Sequence, residues 1–132
     1  MNKLFYPAIF HTAEEGGYWI TFPDFPECIT QGDTMQEAYE MAVDALGLAI
    51  TSLQDEKQEL PVASSLDEFS IKPDDYCVII EFDMLAYKKR NNSKAVKKTL
   101  SIPEWLNEEA IDLGINFSQV LQEALMKKIA SM

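Results

Sequence analysis

Basic side chains cluster in one short stretch of a chain that is otherwise strongly acidic. Six lysine or arginine residues, and no aspartate or glutamate, fall within residues 88–98. Phosphate attraction depends on local charge, so such a cluster can bind nucleic acid although the whole chain has a pI of about 4.4. The cluster consists of Lys88, Lys89, Arg90, Lys94, Lys97 and Lys98. It predicts a contact with nucleic-acid phosphates.

Acidic side chains offer a second chemistry, because clustered carboxylates can hold the two metal ions of a nuclease. Here the carboxylates fall largely on predicted turns and on one exposed helix face, and only Glu81 falls near a strand centre. The others are Asp24, Glu27, Asp33, Glu37, Glu40 and Asp44. His11 has no acid or nucleophile at a recognisable spacing, and a metal site from His11, Cys28 and Cys77 is the remaining alternative. We expect a binding scaffold with no catalytic residues, no metal and no cofactor.

Charge and composition divide the chain into two parts. Residues 1–83 carry 17 acidic and three basic residues, a net charge of −14, whereas residues 84–132 carry a net charge of +3. The acidic part favours a basic partner. The Asn91-Asn92-Ser93 run lies where the composition changes and is typical of a linker. The predicted domains are residues 1–87 and 97–132, joined by a basic linker over 88–96.

The N-terminal part is predicted to be an α+β module in which one sheet packs on one helix. Aromatic and β-branched residues at 3–10 and 18–25 predict two strands, and the Glu15-Gly16-Gly17 sequence between them predicts a hairpin. A third short strand is predicted at 27–30. Thr34 and Glu37 form a capping box that begins a helix ending near Asp55. The apolar run 76–82 predicts a central strand, which completes a β-β-β-α-β order.

The C-terminal part is predicted to be one strand followed by two helices. In the strand, Lys97 to Ile102, Leu100 and Ile102 alternate with polar residues. Pro103 begins a helix that ends near Leu113, and Gly114 is typical of the residue after a helix. Asn116 then caps a second helix, with Gln119 as the capping-box partner.

So short a unit cannot bury the apolar face of each element by itself, which predicts a homodimer. Two chains that pair their strands antiparallel would form a shared core. Its predicted members are Leu100, Ile102, Leu106, Val120, Leu121 and Leu125. Lys97, Thr99 and Ser101 would then lie on the open face of a ribbon that fits a DNA major groove. The alternative is that this polar strand is only a solvated edge.

Two resemblances give these patterns a family. The C-terminal residues resemble the ribbon-helix-helix repressors, through the basic strand, the Pro103 helix start, the Gly114 break and the Asn116-Phe117-Ser118 helix start. The N-terminal residues resemble the HicB family of antitoxins, in which this tail is one of two known types. That likeness rests on Tyr6–Phe10, Tyr18–Cys28, Thr30–Thr34, Glu37-Ala38 and Ala42.

The HicB resemblance implies a partial ribonuclease-H-like fold that neutralises a HicA-type toxin, a small basic RNA-cleaving protein. The chain would then be the antitoxin of a type II toxin–antitoxin system that represses its own operon. We expect Lys97, Thr99 and Ser101 to read base edges of the operator, and the helix start at Asn116, Phe117 and Ser118 to bind phosphates. The lysines and arginine of the basic cluster would add affinity.

The toxin is expected to contact an acidic stripe on the long helix, or a neighbouring aromatic surface. The stripe consists of Glu37, Glu40, Asp44, Gly47, Thr51 and Asp55. Glu37, Glu40 and Asp44 are its predicted toxin contacts, with Gly47 allowing close approach. Trp19 and Phe25 form the aromatic surface, unless they fill the core. The stripe has the alternative of being an ordinary outer helix face.

Two other functions fit the same sequence. One is a ribbon-helix-helix regulator whose N-terminal module senses a small ligand in a polar pocket. The other is an antitoxin-like regulator without a toxin. Cys28 and Cys77 are expected to be reduced thiols, which favours a cytoplasmic protein. The sequence contains no stretch of membrane-spanning length, so no membrane partner is expected.

Overall fold

A computed structural model describes residues 3–132 of the chain. The chain forms two compact units, Met1–Lys94 and Ala95–Met132. The boundary between them falls inside the predicted linker 88–96, and residues 1 and 2 of the predicted first domain lie outside the described residues. The mixed α+β class predicted from the sequence is confirmed.

Four antiparallel strands form one sheet in the N-terminal unit, in the order β3-β2-β1-β4. They are β1 (Lys3–Thr12), β2 (Tyr18–Phe22), β3 (Phe25–Gly32) and β4 (Tyr76–Asp83). The predicted hairpin joins β1 to β2, and Gly16 and Gly17 supply its positive φ angles of 95° and 78°. Strands β3 and β4 therefore lie at the two edges of the sheet, so the prediction of a central strand at 76–82 is wrong. Its apolar run reflects burial of Ile80 and Phe82 on one face, and within residues 3–132 β4 pairs with β1 alone.

The turn between β2 and β3 is tighter than predicted. Strand β2 ends at Phe22 instead of Phe25, and β3 already begins at Phe25. The strand register shifts between Thr21 and Phe22, and the Asp24 carboxylate accepts hydrogen bonds from the Ser64 amide and hydroxyl. Ser64, from a distant loop, thus helps to fix the short turn between Phe22 and Phe25. The local sequence alone predicts a longer turn.

Helix α1 (Met35–Asp55) covers one face of the sheet. The predicted cap is confirmed, because the Thr34 hydroxyl accepts a hydrogen bond of 3.1 Å from the Glu37 amide. The buried side of α1 repeats every four residues through Ala38, Ala42, Leu46 and Ile50. These residues pack with the inward side chains of the sheet, among them Tyr6, Ala8, Phe10, Ile20, Phe22, Phe25, Ile80 and Phe82.

A second helix, α2 (Met84–Asn91), follows β4 directly and was not predicted. The Asp83 carboxylate caps it by accepting a hydrogen bond of 3.1 Å from the Ala86 amide. Its Met84 is buried, and its Tyr87 ring lies 5.3 Å from the Phe82 ring. Residues 88–91, which were expected to begin the linker, are therefore helical and belong to the N-terminal unit.

The C-terminal unit contains α3 (Glu104–Asp112) and α4 (Phe117–Ala130). Between them, Gly114 has a φ of 67°, and the amides of Gly114 and Ile115 donate 3.0 Å hydrogen bonds to the carbonyls of Ile111 and Ala110. This pair of bonds is a Schellman motif, so the helix break predicted at Gly114 is confirmed. The Asn116 side chain caps α4 by accepting from the Gln119 amide at 3.1 Å, also as predicted.

Residues 95–103 form neither helix nor strand in this single chain. A strand requires a hydrogen-bonded neighbour, and the predicted neighbour of Lys97–Ile102 is a second chain. The ribbon therefore stays a prediction. None of the helices in residues 3–132 combines the length and apolar character needed to cross a membrane.

Candidate functional site

The acidic stripe predicted on α1 is partly covered by α2. The Asp44 carboxylate lies 3.3 Å from the Arg90 guanidinium, which also lies 6.0 Å from the centre of the Tyr87 ring. Gly47 is buried, and a Cβ atom built on it would lie 2.3 Å from Cε1 of Tyr87. The space over Gly47 is therefore filled by Tyr87 of the same unit, and the predicted approach of a toxin at Gly47 is wrong.

The remaining residues of the predicted toxin surface differ in their accessibility. Glu37 and Glu40 are exposed on the first half of α1. Phe25 is only 6% exposed and packs edge-on against Tyr6 with ring centres 4.8 Å apart, so it is a core residue. Its predicted role as an anchor for a partner is thereby corrected. Trp19 is exposed and lies on the sheet face opposite α1, where it stacks on His11 at 3.8 Å.

His11 has partners that its sequence position did not reveal. It lies on β1, where Nδ1 donates to the Asp75 carboxylate at 2.8 Å and Nε2 lies 2.9 Å from the Thr21 hydroxyl. No partner acid was recognisable from the sequence spacing around His11, because Asp75 is 64 residues away and only strand pairing brings it close. The Thr12 hydroxyl also donates to the Asp74 carbonyl at 2.6 Å. These bonds attach the segment that precedes β4 to the end of β1.

The predicted DNA-contacting residues are exposed. Lys97, Thr99 and Ser101 lie in the extended segment before α3, and Lys94 and Lys98 are also exposed. At the start of α4, the Asn116 side chain accepts a hydrogen bond from the Gln119 amide. The amides of Phe117 and Ser118, which come before it, have no partner within the helix and are available to bind an anion. Lys88, Lys89 and Arg90 form the last turn of α2 in the N-terminal unit.

The C-terminal unit leaves most of its apolar side chains exposed. Of the predicted dimer core, Leu100 is 55% and Ile102 is 46% exposed, and Leu121 is only partly buried. Leu106, Val120 and Leu125 are exposed to a similar degree. Ala110 is the buried residue of α3, and α4 contains none. A unit of this size with so little burial is marginal by itself.

The net charges of the two units differ from those of residues 1–83 and 84–132, which were compared from the sequence. The unit ending at Lys94 contains 17 acidic and seven basic residues, a net charge of −10. The unit beginning at Ala95 has a net charge of −1. The basic cluster is thus shared across the boundary, and only its Lys97 and Lys98 belong to the C-terminal unit. Any attraction of that unit to phosphate is local.

Carboxylates in the N-terminal unit are dispersed or already bonded. Glu81 lies 3.0 Å from the Lys3 ammonium, and Asp24 accepts from Ser64. Within residues 3–132, no three or more His, Cys, Asp or Glu side chains are close enough to hold a metal ion. Both cysteines are free thiols, as predicted, and burial raises the pKa of Cys28 to about 11.

Comparison with known proteins gives one consistent family. A family model described as the HicB-like antitoxin of bacterial toxin–antitoxin systems matches residues 6–130. Antitoxin HicB 1 of Photorhabdus laumondii is 47% identical over 62 residues, which cover 47% of this chain and 40% of that protein. Antitoxin HicB of Escherichia coli K12 is 42% identical over 62 residues, covering 47% of this chain and 45% of that protein. The matched segments therefore span less than half the length of these curated relatives.

A solved structure is similar over nearly the whole length of the chain. An antitoxin-containing toxin–antitoxin complex from Streptococcus pneumoniae includes a chain that is 27% identical, with a TM-score of 0.61. The superposition covers 96% of this chain and 99% of that one. The likeness therefore extends over both units of the present chain, beyond the segment shared with the curated relatives.

Proposed function

Because the chain belongs to the HicB-like antitoxin family of bacterial toxin–antitoxin systems, we propose that it neutralises a HicA-type toxin and represses its own operon. The N-terminal unit binds the toxin in this proposal, and the C-terminal unit dimerises and binds operator DNA. The similar Streptococcus pneumoniae chain comes from a toxin–antitoxin complex, which supports a protein toxin as the partner.

The observation that carries this proposal is the uncovered apolar surface of the C-terminal unit. Leu100 and Ile102 are about half exposed in the single chain, and they alternate with the polar Lys97, Thr99 and Ser101. Pairing of this segment with its copy would bury both apolar residues and satisfy the backbone groups of residues that now lack a strand partner. The same pairing would place the three polar side chains together on the opposite face.

That polar face supplies the chemistry for DNA binding. Threonine and serine hydroxyls donate and accept hydrogen bonds at base edges, and Lys97 donates to guanine or to phosphate. The free amides of Phe117 and Ser118 at the start of α4 would hold a phosphate on each side of the ribbon. Each neutralised phosphate should contribute about −0.9 to the slope of log affinity against log salt.

The toxin side of the proposal rests on charge. The N-terminal unit has a net charge of −10, with acidic residues spread along it well beyond the Glu37–Asp44 stripe. Such a surface favours a cationic protein and accelerates its association.

Copurification tests the toxin function. The chain and the product of the adjoining open reading frame would be expressed together with a tag on only one of them. We expect a complex that withstands gel filtration and dissociates more readily as salt increases. Failure of the two proteins to associate at low salt would refute the proposed toxin function.

Operator binding is tested separately with the promoter DNA of the same operon. Lys97→Ala and Thr99→Ala should each reduce affinity by about 5- to 150-fold, since a good base contact contributes about 1–3 kcal/mol. Lys127→Ala, at the far end of α4, is the matched control and should change it little. Equal affinities for all these variants would contradict DNA reading by the 97–101 segment.

A further inference from the structure

A groove of about 740 Å³ lies between the edge strand β3 and helix α1 of the N-terminal unit. One wall is the strand, including Glu27 and Ile29. The other wall is a single flank of α1, where Ala45, Leu48, Ala49 and Ser52 recur at spacings of three and four residues. Residues after the helix, including Glu56 and Glu59, close one end. This flank is distinct from the one that α2 covers at Asp44 and Gly47.

The groove is apolar and open between its walls. Leu48 is 64% exposed in the groove, and Ile29, on the β3 edge that borders the groove, is 62% exposed on the other face of the sheet; neither large side chain has a covering element within residues 3–132. The alanines and serine beside Leu48 are small, which keeps the space between helix and strand wide enough for another segment. Exposed large apolar side chains at an open groove are typical of a contact surface for protein.

The rim of the groove is acidic. Asp24, Glu27, Glu56 and Glu59 line it, and none of its lining residues is lysine, arginine or histidine. Asp24 is bonded to Ser64, whereas Glu27, Glu56 and Glu59 take no part in the ion pairs found within residues 3–132. A cationic occupant would pair with these three carboxylates. The N-terminal unit of a second copy, with its net charge of −10, would be repelled.

The strand wall is a free sheet edge. In the described chain β3 pairs with β2 alone, so its outer backbone groups have no strand partner. A strand added at this edge would present alternate side chains to the two faces of the sheet. One set would enter the groove beside Leu48, and the other would lie on the opposite face near Ile29. Addition of a strand to an edge beside a helix is an established mode of peptide recognition.

We propose that the toxin docks an extended, cationic segment in this groove, paired with the outer edge of β3. This inference rests on the proposed toxin-binding function and assigns it a surface other than the Glu37–Asp44 stripe. Carboxylates at the rim select the positive charge of the segment, and Leu48 and Ile29 each receive an apolar side chain.

The test compares two charge reversals of equal size on the full chain, with the copurified product of the adjoining open reading frame as the probe. The double variant Glu56→Lys with Glu59→Lys changes the groove, and Glu37→Lys with Glu40→Lys changes the stripe. We expect the groove variant to weaken toxin binding at least tenfold and the stripe variant to weaken it less than threefold. Leu48→Ser should also weaken binding, whereas Leu66→Ser, at an exposed leucine outside the groove, should not.

Hydrogen exchange supplies an independent measurement of strand addition. Amides of β3 between Glu27 and Gln31 should exchange more slowly in the toxin complex than in the free chain. Tight toxin binding that is unaffected by the groove variants, or that leaves β3 exchange unchanged, would overturn the groove proposal and leave the proposed toxin function standing. Self-association of the free chain that the groove variants abolish would identify a second copy as the occupant and would also overturn it. Absence of any toxin binding by the unmodified chain would remove both proposals.

Discussion

Gly47→Ala tests whether α2 belongs to the N-terminal unit. In an exposed helix, replacing glycine by alanine stabilises by about 1 kcal/mol because alanine loses less backbone entropy. Here the new methyl group would lie 2.3 Å from the Tyr87 ring, well inside van der Waals contact. The ring must therefore move, and its partly buried packing against Phe82 is lost.

The magnitude follows from the two opposing effects. Loss of a partly buried aromatic contact costs about 2 kcal/mol, which combines a share of its apolar burial with its ring pairing. After the helix gain of about 1 kcal/mol, Gly47→Ala should destabilise the N-terminal unit by about 1 kcal/mol. That change lowers the melting temperature by roughly 4–8 °C for a unit of this size.

Making the same substitution in a Tyr87→Ala chain shows whether its effect on stability changes from destabilising to stabilising. In Tyr87→Ala, the obstruction is absent, so Gly47→Ala should become stabilising by about 0.5–1 kcal/mol. Thermal unfolding would be followed by the fluorescence of Trp19 in a Trp105→Phe chain, so that the signal reports the N-terminal unit. Stabilisation of equal size in both backgrounds would show that Tyr87 does not pack over Gly47 and would refute the placement of α2.

Three further predictions concern the same unit. Gly32→Ala should destabilise the N-terminal unit by more than about 2 kcal/mol in thermal unfolding, because the new Cβ would lie 2.4 Å from the Ala38 amide nitrogen. Gly16→Ala is the control: its Cβ would lie in open space, so it should cost only the strain of a positive φ. Lys57→Gly should stabilise by roughly 0.5–1 kcal/mol in the same assay, since Lys57 has a φ of 56° after α1; a loss of stability would contradict this. Burial raises the pKa of Cys28 from 9.0 to about 11, so the folded state holds the thiol proton more tightly than the unfolded state does. The resulting stability is complete below pH 9 and declines as the pH rises towards 11; a Cys28→Ala chain with the same decline would contradict this.

Local signals in the sequence predicted the helix boundaries well. Thr34, Gly114 and Asn116 each act within a few residues of their own position, through a cap or a left-handed backbone conformation. Runs of aromatic, β-branched and other apolar residues likewise located the strands of the sheet. Such features need no knowledge of what lies elsewhere in the fold.

The errors share a cause, which is contact between distant residues. The sequence around His11 contains no recognisable partner acid. Its partner, Asp75, comes close only through the pairing of β1 with β4. Phe25 was an equally good candidate for core or surface until Tyr6 was placed against it. Helix α2 was hidden because its lysines and arginine indicated a solvated linker, whereas its buried contacts come from Met84 and Tyr87. The groove was missed for the same reason, since it combines a strand edge with a helix flank.

The strand predicted at 97–102 depends on contacts with a second chain. Its alternating pattern is typical of a strand, yet every backbone bond that would define that strand must come from another segment. In the single chain Leu100 and Ile102 remain half exposed, so the free energy available from burying them is still unused. Pairing of two copies would gain that energy from four such side chains and order both backbones at once. We therefore propose that this strand forms only between two chains, so that its formation should depend on protein concentration in the way that dimerisation does.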